Sequence, residues 1–167
     1  MKNKIGNKGT WTARCYKSDG SVKWEENWDN LITNVGLDYS LESSLAGGSQ
    51  TTTWYVGLTN SSPTANSTDT MASHPGWTEV TNYDEAGRPV WTPGAVSGQS
   101  VNNSGSAAVF TGSTDGTVVG GAFLVSDNSK GGSAGKLFSV GPFTIGNKTL
   151  DAGDTLEVTA EYGSSSV

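Results

Sequence analysis

One cysteine stands in the whole chain, Cys15, so no intrachain disulfide and no cysteine-built metal site can form. One histidine, His74, confines any serine–histidine or cysteine–histidine pair to its neighbourhood. Charged residues make up 16% and hydrophobic residues 34% of 167 positions, both low, which excludes a coiled coil or a helical bundle. No apolar run approaches the roughly 18 residues of a membrane span. Behind Met1-Lys2-Asn3-Lys4 there is no apolar stretch, so no secretory signal is read and a chain made in a cytoplasm is expected. The Asn-x-Ser/Thr triplets at Asn60, Asn66, Asn102 and Asn147 are then chance matches.

Small uncharged residues take the vacated places: 23 Gly, 22 Ser and 20 Thr. Six Trp, five Tyr and four Phe are enough to anchor a core, so disorder is excluded as well. The composition describes one β-rich, loop-rich domain.

Charge is unevenly spread. Residues 1–23 carry Lys2, Lys4, Lys8, Arg14, Lys17 and Lys23 against Asp19, a balance of +5. The rest carries four basic and fifteen acidic residues, −11, and the sum is the chain's −6. A basic segment on an acidic body suggests an acidic partner or a solvated arm. Nucleic acid is disfavoured, because the segment lacks a dense Lys/Arg cluster and a binding motif.

The chain reads as a mainly β fold in which an N-terminal β-hairpin and one short helix pack with an antiparallel β-sandwich, Ig-like or jelly-roll-like. Thr10–Lys17 and Ser21–Trp28 alternate about Ser18-Asp19-Gly20, a strong hairpin signal. Trp11, Ala13 and Cys15 share one face; Val22, Trp24 and Trp28 share another. Asn34 is placed to cap a helix over 35–46, which Gly47-Gly48 ends. Its stripe of Leu37, Leu41 and Leu45 is expected to pack on the hairpin and the sheet. Strands are expected over 52–58, 78–83, 89–91, 95–101, 106–111, 117–125, 136–143 and 155–162, with a long polar loop over 60–76. The divisions are 1–34 (basic arm and hairpin), 35–48 (helix) and 49–167 (sandwich body), within one compact domain. Gly120-Gly121 inside a strand suggests a bulge or a close backbone approach, within the sandwich or at a subunit contact.

Candidate chemistry is sparse. Asp69 and Ser73 lie near His74, but without a nucleophile-elbow context; a locally bonded loop histidine is the simpler reading. Asp84 and Glu85 are adjacent and would point apart in a strand, and Glu157 and Glu161 read as the solvent face of an edge strand. The 127–132 loop lacks the pattern of a calcium loop, whereas Asp151 and Asp154 could share a weak Ca²⁺ in a turn. No phosphate-binding loop is present. Trp54, Tyr55, Trp77, Tyr83 and Trp91 could form a sugar platform or fill a core. No catalytic residue, metal site or cofactor is assigned.

One resemblance spans roughly residues 9–162. It is carried by Asn30-Leu31-Ile32-Thr33-Asn34-Val35-Gly36-Leu37, by Thr53–Leu58, and by Asp69–Glu79 with Tyr83. Arg88-Pro89-Val90-Trp91, Gly120–Leu124 and Leu150–Leu156 continue it. These stretches resemble small virion proteins of tailed bacteriophages, in particular head decoration (cement) proteins. The resemblance implies a non-enzymatic protein on the outer surface of an expanded phage head, bridging major capsid subunits, often as a homotrimer, without nucleic acid or membrane as partner. Lys2, Lys4, Lys8, Trp11, Arg14 and Trp24 are the expected capsid contacts, and Gly120 and Gly121 the expected subunit contact. A tail-associated virion protein and a carbohydrate-binding module or minor enzyme are the alternatives.

Overall fold

The computed structural model describes residues 5–61 and 63–166. Its elements are β1 (Ile5–Tyr16), β2 (Val22–Asp29), β3 (Leu31–Ile32), α1 (Asn34–Ser44), β4 (Trp54–Thr59), β5 (Glu79–Val80), β6 (Val90–Trp91) and β7 (Ser100–Asn102). There follow β8 (Ala108–Thr111), β9 (Thr117–Val119), β10 (Gly121–Val125), β11 (Leu137–Pro142), β12 (Lys148–Leu150) and β13 (Thr155–Ser166). The fold is mainly β, with antiparallel sheets packed face to face.

One sheet runs β2-β1-β13, with β7 and β8 both pairing onto β13. β1 and β13 pair along their whole length, from Ile5 opposite Ser166 to Tyr16 opposite Thr155. The second sheet runs β3-β11-β10-β4, with β5 and β6 both on β4, and β9 and β12 form a separate ribbon. The hairpin is therefore half of the first sheet. Its turn has the expected chemistry: Gly20 takes φ +82 and Asp19 Oδ1 accepts from the Ser21 N–H at 2.9 Å.

Between the sheets lies the main core. Trp11, Ala13, Cys15 and Trp28 meet Leu156, Val158 and Tyr162 on one side, and Val56, Leu58, Ala122 and Leu124 on the other. Burial on β13 alternates from Leu156 to Tyr162, as a sheet covered on one face requires. β10 is buried at every position, because the second sheet is covered on both faces. Its outer face packs Phe123, Val125, Leu137 and Val140 under Met71 and Trp77. Met71 lies within the 60–76 loop expected to be polar and Trp77 directly follows it, so that loop closes a second core.

Several expected boundaries shift. The 117–125 strand divides at Gly120 into β9 and β10, which belong to different sheets. β3 and β12 were too short to carry a period. The 95–101 strand shrinks to β7, preceded by a tight turn over 97–100.

The helix differs most. Thr33, not Asn34, is its cap, with Oγ1 accepting from the Gly36 N–H at 3.1 Å and donating to the Leu137 carbonyl at 2.6 Å. Gly36 is the one buried residue of α1, and a Cβ there would run into the Phe138 carbonyl oxygen. The helix docks with Gly36 held close to β11 and with Tyr39 set against Trp54. Consequently Leu37, Leu41 and Leu45, expected to pack inward, are 37%, 55% and 76% exposed.

Candidate functional site

Three of the six cations of the basic segment, Lys8, Arg14 and Lys23, meet carboxylates in the fold. Lys2 and Lys4 lie outside the described residues. Lys8 faces Asp29 at 4.0 Å, and Arg14 binds Glu25 through Nε at 3.1 Å and Nη2 at 2.9 Å. Lys23 Nζ sits between Asp151 at 2.7 Å and Asp154 at 2.5 Å. Among the described residues, the topology thus brings carboxylates alongside Lys8, Arg14 and Lys23, and Lys17 has no ion pair. Lys8 and Arg14 remain at the surface as members of pairs, whereas Lys23 is largely enclosed.

The other expected contact residues are mostly interior. Trp11 is 1% exposed, its ring stacked 6.0 Å from Trp28 and edge-on to Tyr162. A contact through Trp11 would require it to leave the core, so it is withdrawn as a surface anchor. Trp24 is half-buried, tilted against Phe143, with Nε1 donating to the Thr149 carbonyl at 2.8 Å. Gly120 and Gly121 are both buried, which removes them from a subunit surface. Gly120 N–H donates to the Thr59 carbonyl and its own carbonyl accepts from Phe143 N–H, each at 2.8 Å. A Cβ on Gly121 would run into the Gly141 carbonyl oxygen. The close approach suggested by this pair is internal to the sandwich.

The titratable candidates are engaged in structure. His74 stacks on Trp77 at 3.8 Å, and its Nδ1 lies 2.9 Å from the Trp77 carbonyl. Asp69 accepts from Trp77 Nε1 and from Asn66 N–H, both at 3.1 Å. Histidine, tryptophan and aspartate together staple the 66–77 loop over the outer core. Glu85 accepts from Thr111 N–H at 3.1 Å and Oγ1 at 3.0 Å. β13 lies inside its sheet, correcting the edge-strand reading, and Glu157 is in register with Arg14.

At the turn proposed for Ca²⁺, the Lys23 ammonium occupies the space between the two carboxylates. Its hydrogen bond, followed by one from Gly116 N–H, holds Asp151 below its ordinary value of 3.8. Burial pulls Lys23 down, but the hydrogen bonds it donates to Asp151 and Asp154, with the charges of those carboxylates, outweigh it and leave the amine raised above 10.5. Burial also pushes the Cys15 thiol up to about 12. Among the described residues no three of His, Cys, Asp and Glu gather as a metal site requires. Trp77, Tyr83 and Trp91 are core residues, Tyr55 packs partly buried against the second core, and Trp54 is set edge-on to Tyr39 and Phe138, so these five do not form an open platform.

Three features escaped the sequence. The first is a buried clamp: Arg88 donates to both Glu79 oxygens at 2.8 Å, and to the Asp127 and Gly132 carbonyls at 2.9 and 2.8 Å. Arg88 and Glu79 belong to stretches the resemblance singled out, but nothing in their spacing pairs them. The second is Glu26, on the Trp24–Trp28 face. It is buried, and Oε1 accepts from Thr144 and Ile145 N–H at 2.8 and 3.0 Å. The third is the exposed leucine stripe with a groove beside it of about 250 Å³, lined in part by Ile32, Ser40, Val96, Val101, Phe138 and Tyr162. The leucine period was visible; its outward direction depended on Gly36.

No family model, curated protein or solved structure matches the chain.

Proposed function

We propose that this chain is a non-enzymatic virion structural protein that decorates the expanded head of a tailed bacteriophage and bridges major capsid subunits from outside. The observation that carries the reading is the exposed apolar face of α1, which directly follows and overlaps the stretch Asn30–Leu37 of the resemblance. The sandwich closes two cores without Leu37, Leu41 and Leu45. Apolar residues grouped on a surface mark an interaction site, not a fold requirement. Repetition over a capsid lattice converts modest contacts of this kind into firm attachment, because each bound copy is held by several neighbours. Self-association as a homotrimer belongs to the same proposal, since closed assemblies bury surface that a small domain leaves open.

Co-sedimentation of the purified protein with expanded empty heads that lack it, and with unexpanded shells, tests the reading. Saturable binding to expanded shells alone, at a fixed ratio to the major capsid subunit, is expected. Failure to bind either shell overturns it, and binding to purified tails instead would move the protein to the tail.

A further inference from the structure

The decoration reading leaves open which face docks and what it receives. Among the described residues of the expected basic face, Lys8 and Arg14 face Asp29 and Glu25, and Trp11 is in the core. Resting on that reading, we infer that α1 and the groove beside it form the docking face. The occupant is an amphipathic basic segment of the shell protein, with apolar side chains on the stripe and groove and Lys or Arg along one side.

At 100° per residue, Leu37, Leu41 and Leu45 span about 80° of the surface. Asp38 and Glu42 follow on one flank and Ser40 and Ser44 on the other. Asp38 and Glu42 are exposed, and neither has an ion-pair partner among the described residues. On the Ser40 flank the surface continues into the groove, whose floor includes Phe138 and Tyr162 and whose rim carries Val96, 74% exposed. The face is therefore apolar along its middle and acidic along one side. Its complement is apolar with a basic side.

The groove is also preformed. Val96 precedes a turn in which Ser97 and Ser100 exchange N–H···O bonds at 2.9 and 3.0 Å, with Gly98 at φ +58 and Gln99 at φ +62. Gln99 is the one non-glycine residue with positive φ among those described, and its carbonyl accepts from Ser164 N–H at 3.0 Å. A side-chain-bearing residue held in that region indicates a turn fixed by its surroundings, here beside an open apolar groove.

Area and charge distinguish a shell subunit from a second copy. Three leucines and a valine at these exposures offer a few hundred Å² of apolar surface. A stable pair of free proteins buries about 800 Å² on each partner. Two copies meeting stripe to stripe would also crowd four unpaired carboxylates along one seam, in a chain of net charge −6. A lattice partner needs less area per contact and can supply the missing positive charge.

Two measurements on the full chain test the inference. In the first, wild type, Leu41→Asp, Leu45→Asp, Asp38→Lys/Glu42→Lys and Val118→Asp are co-sedimented with expanded heads at low and high salt, after thermal melts establish that each folds. Both leucine variants should lose about tenfold or more in affinity. The charge-reversed double variant should bind more weakly at low salt, and Val118→Asp, on β9, should match wild type. Wild-type binding with undiminished leucine variants overturns the docking face and leaves decoration standing. In the second, methyl NMR follows titration with a synthetic Leu/Lys amphipathic helix and its Leu/Glu counterpart. Shifts at Leu37, Leu41, Leu45 and Val96 with the Lys peptide only are expected. If wild type binds no shell, decoration falls, and this footprint decides the face alone; no footprint, or one equal for both peptides, overturns it. A stable oligomer in solution that Leu41→Asp dissociates would assign the face to a second copy and overturn the inference equally.

Discussion

Two arginines of this protein make nearly the same bond in different surroundings, and truncating each to alanine separates geometry from burial. Arg14 holds Glu25 at 2.9 to 3.1 Å, and Arg88 holds Glu79 at 2.8 Å. By distance alone the two should contribute alike. The Arg14 and Glu25 side chains are 46% and 41% exposed, whereas Arg88 and Glu79 are 0% and 7%. Arg14→Ala releases a carboxylate into water and should leave the melting temperature almost unchanged. Arg88→Ala strands the Glu79 carboxylate in the interior and removes the donor to two loop carbonyls. Breaking a buried pair from one side costs about 4 kcal/mol. At about 3 °C per kcal/mol for a domain of this size, the melting temperature should fall by about 12 °C. Added salt should leave the wild-type Arg88 contribution intact, because ions do not reach an enclosed pair. Differential scanning calorimetry on the two variants reads both values. A loss under about 1 kcal/mol for Arg88→Ala, or equal losses for both variants, would refute the assignment of strength to burial.

Gly121→Ala should destabilise by about 2 kcal/mol or more, because the new methyl meets the backbone carbonyl of Gly141, which cannot swing aside. Gly105→Ala, with open space around it, should be near neutral in the same thermal melts. Cys15, buried and with its thiol pushed up to about 12, should ignore a thiol reagent at about pH 8 until urea unfolds the chain. The Asp151 carboxyl is depressed in the fold, so its contribution is complete above 3.8 and is lost as pH falls through the folded value. Lys23 is raised, so its contribution is complete below 10.5 and is lost as pH rises through its folded value. In Lys23→Met the acid-side loss of stability should shrink relative to wild type, as read from urea midpoints between about pH 2 and pH 7. Equal acid limbs in the two proteins would show that Lys23 does not set the Asp151 shift.

Much of the framework was legible because it is local. Asp19-Gly20 fixes a hairpin by the conformations its own residues adopt, and the alternation through Trp11, Ala13 and Cys15 fixes the buried face of β1. The β-sandwich itself followed from many short strands between turn signals. The local bonding of His74 was likewise readable from a histidine set beside Pro75-Gly76 in a loop, and its ring stacks on Trp77, three positions on. Strand ends were less legible where pairing, not propensity, sets them: β13 runs on to Ser166 because β1 is there to receive it.

The candidate site was the least legible part, and for one reason throughout. Sequence determined which residues are charged, apolar or small, and where the chain turns. Tertiary structure alone decided which of them meet. Lys23 read as a free cation until the turn before β13 set Asp151 and Asp154 around it, more than 120 positions away. Trp11 fits both a packed hairpin face and a surface anchor by its sequence position, and enclosure by β13 and the second sheet decides for the packed face. The leucine period of α1 was plain in the sequence, yet a period gives a face without saying which way it points. Gly36 decided that, by letting the helix backbone close on Phe138 and leaving the leucines to the solvent.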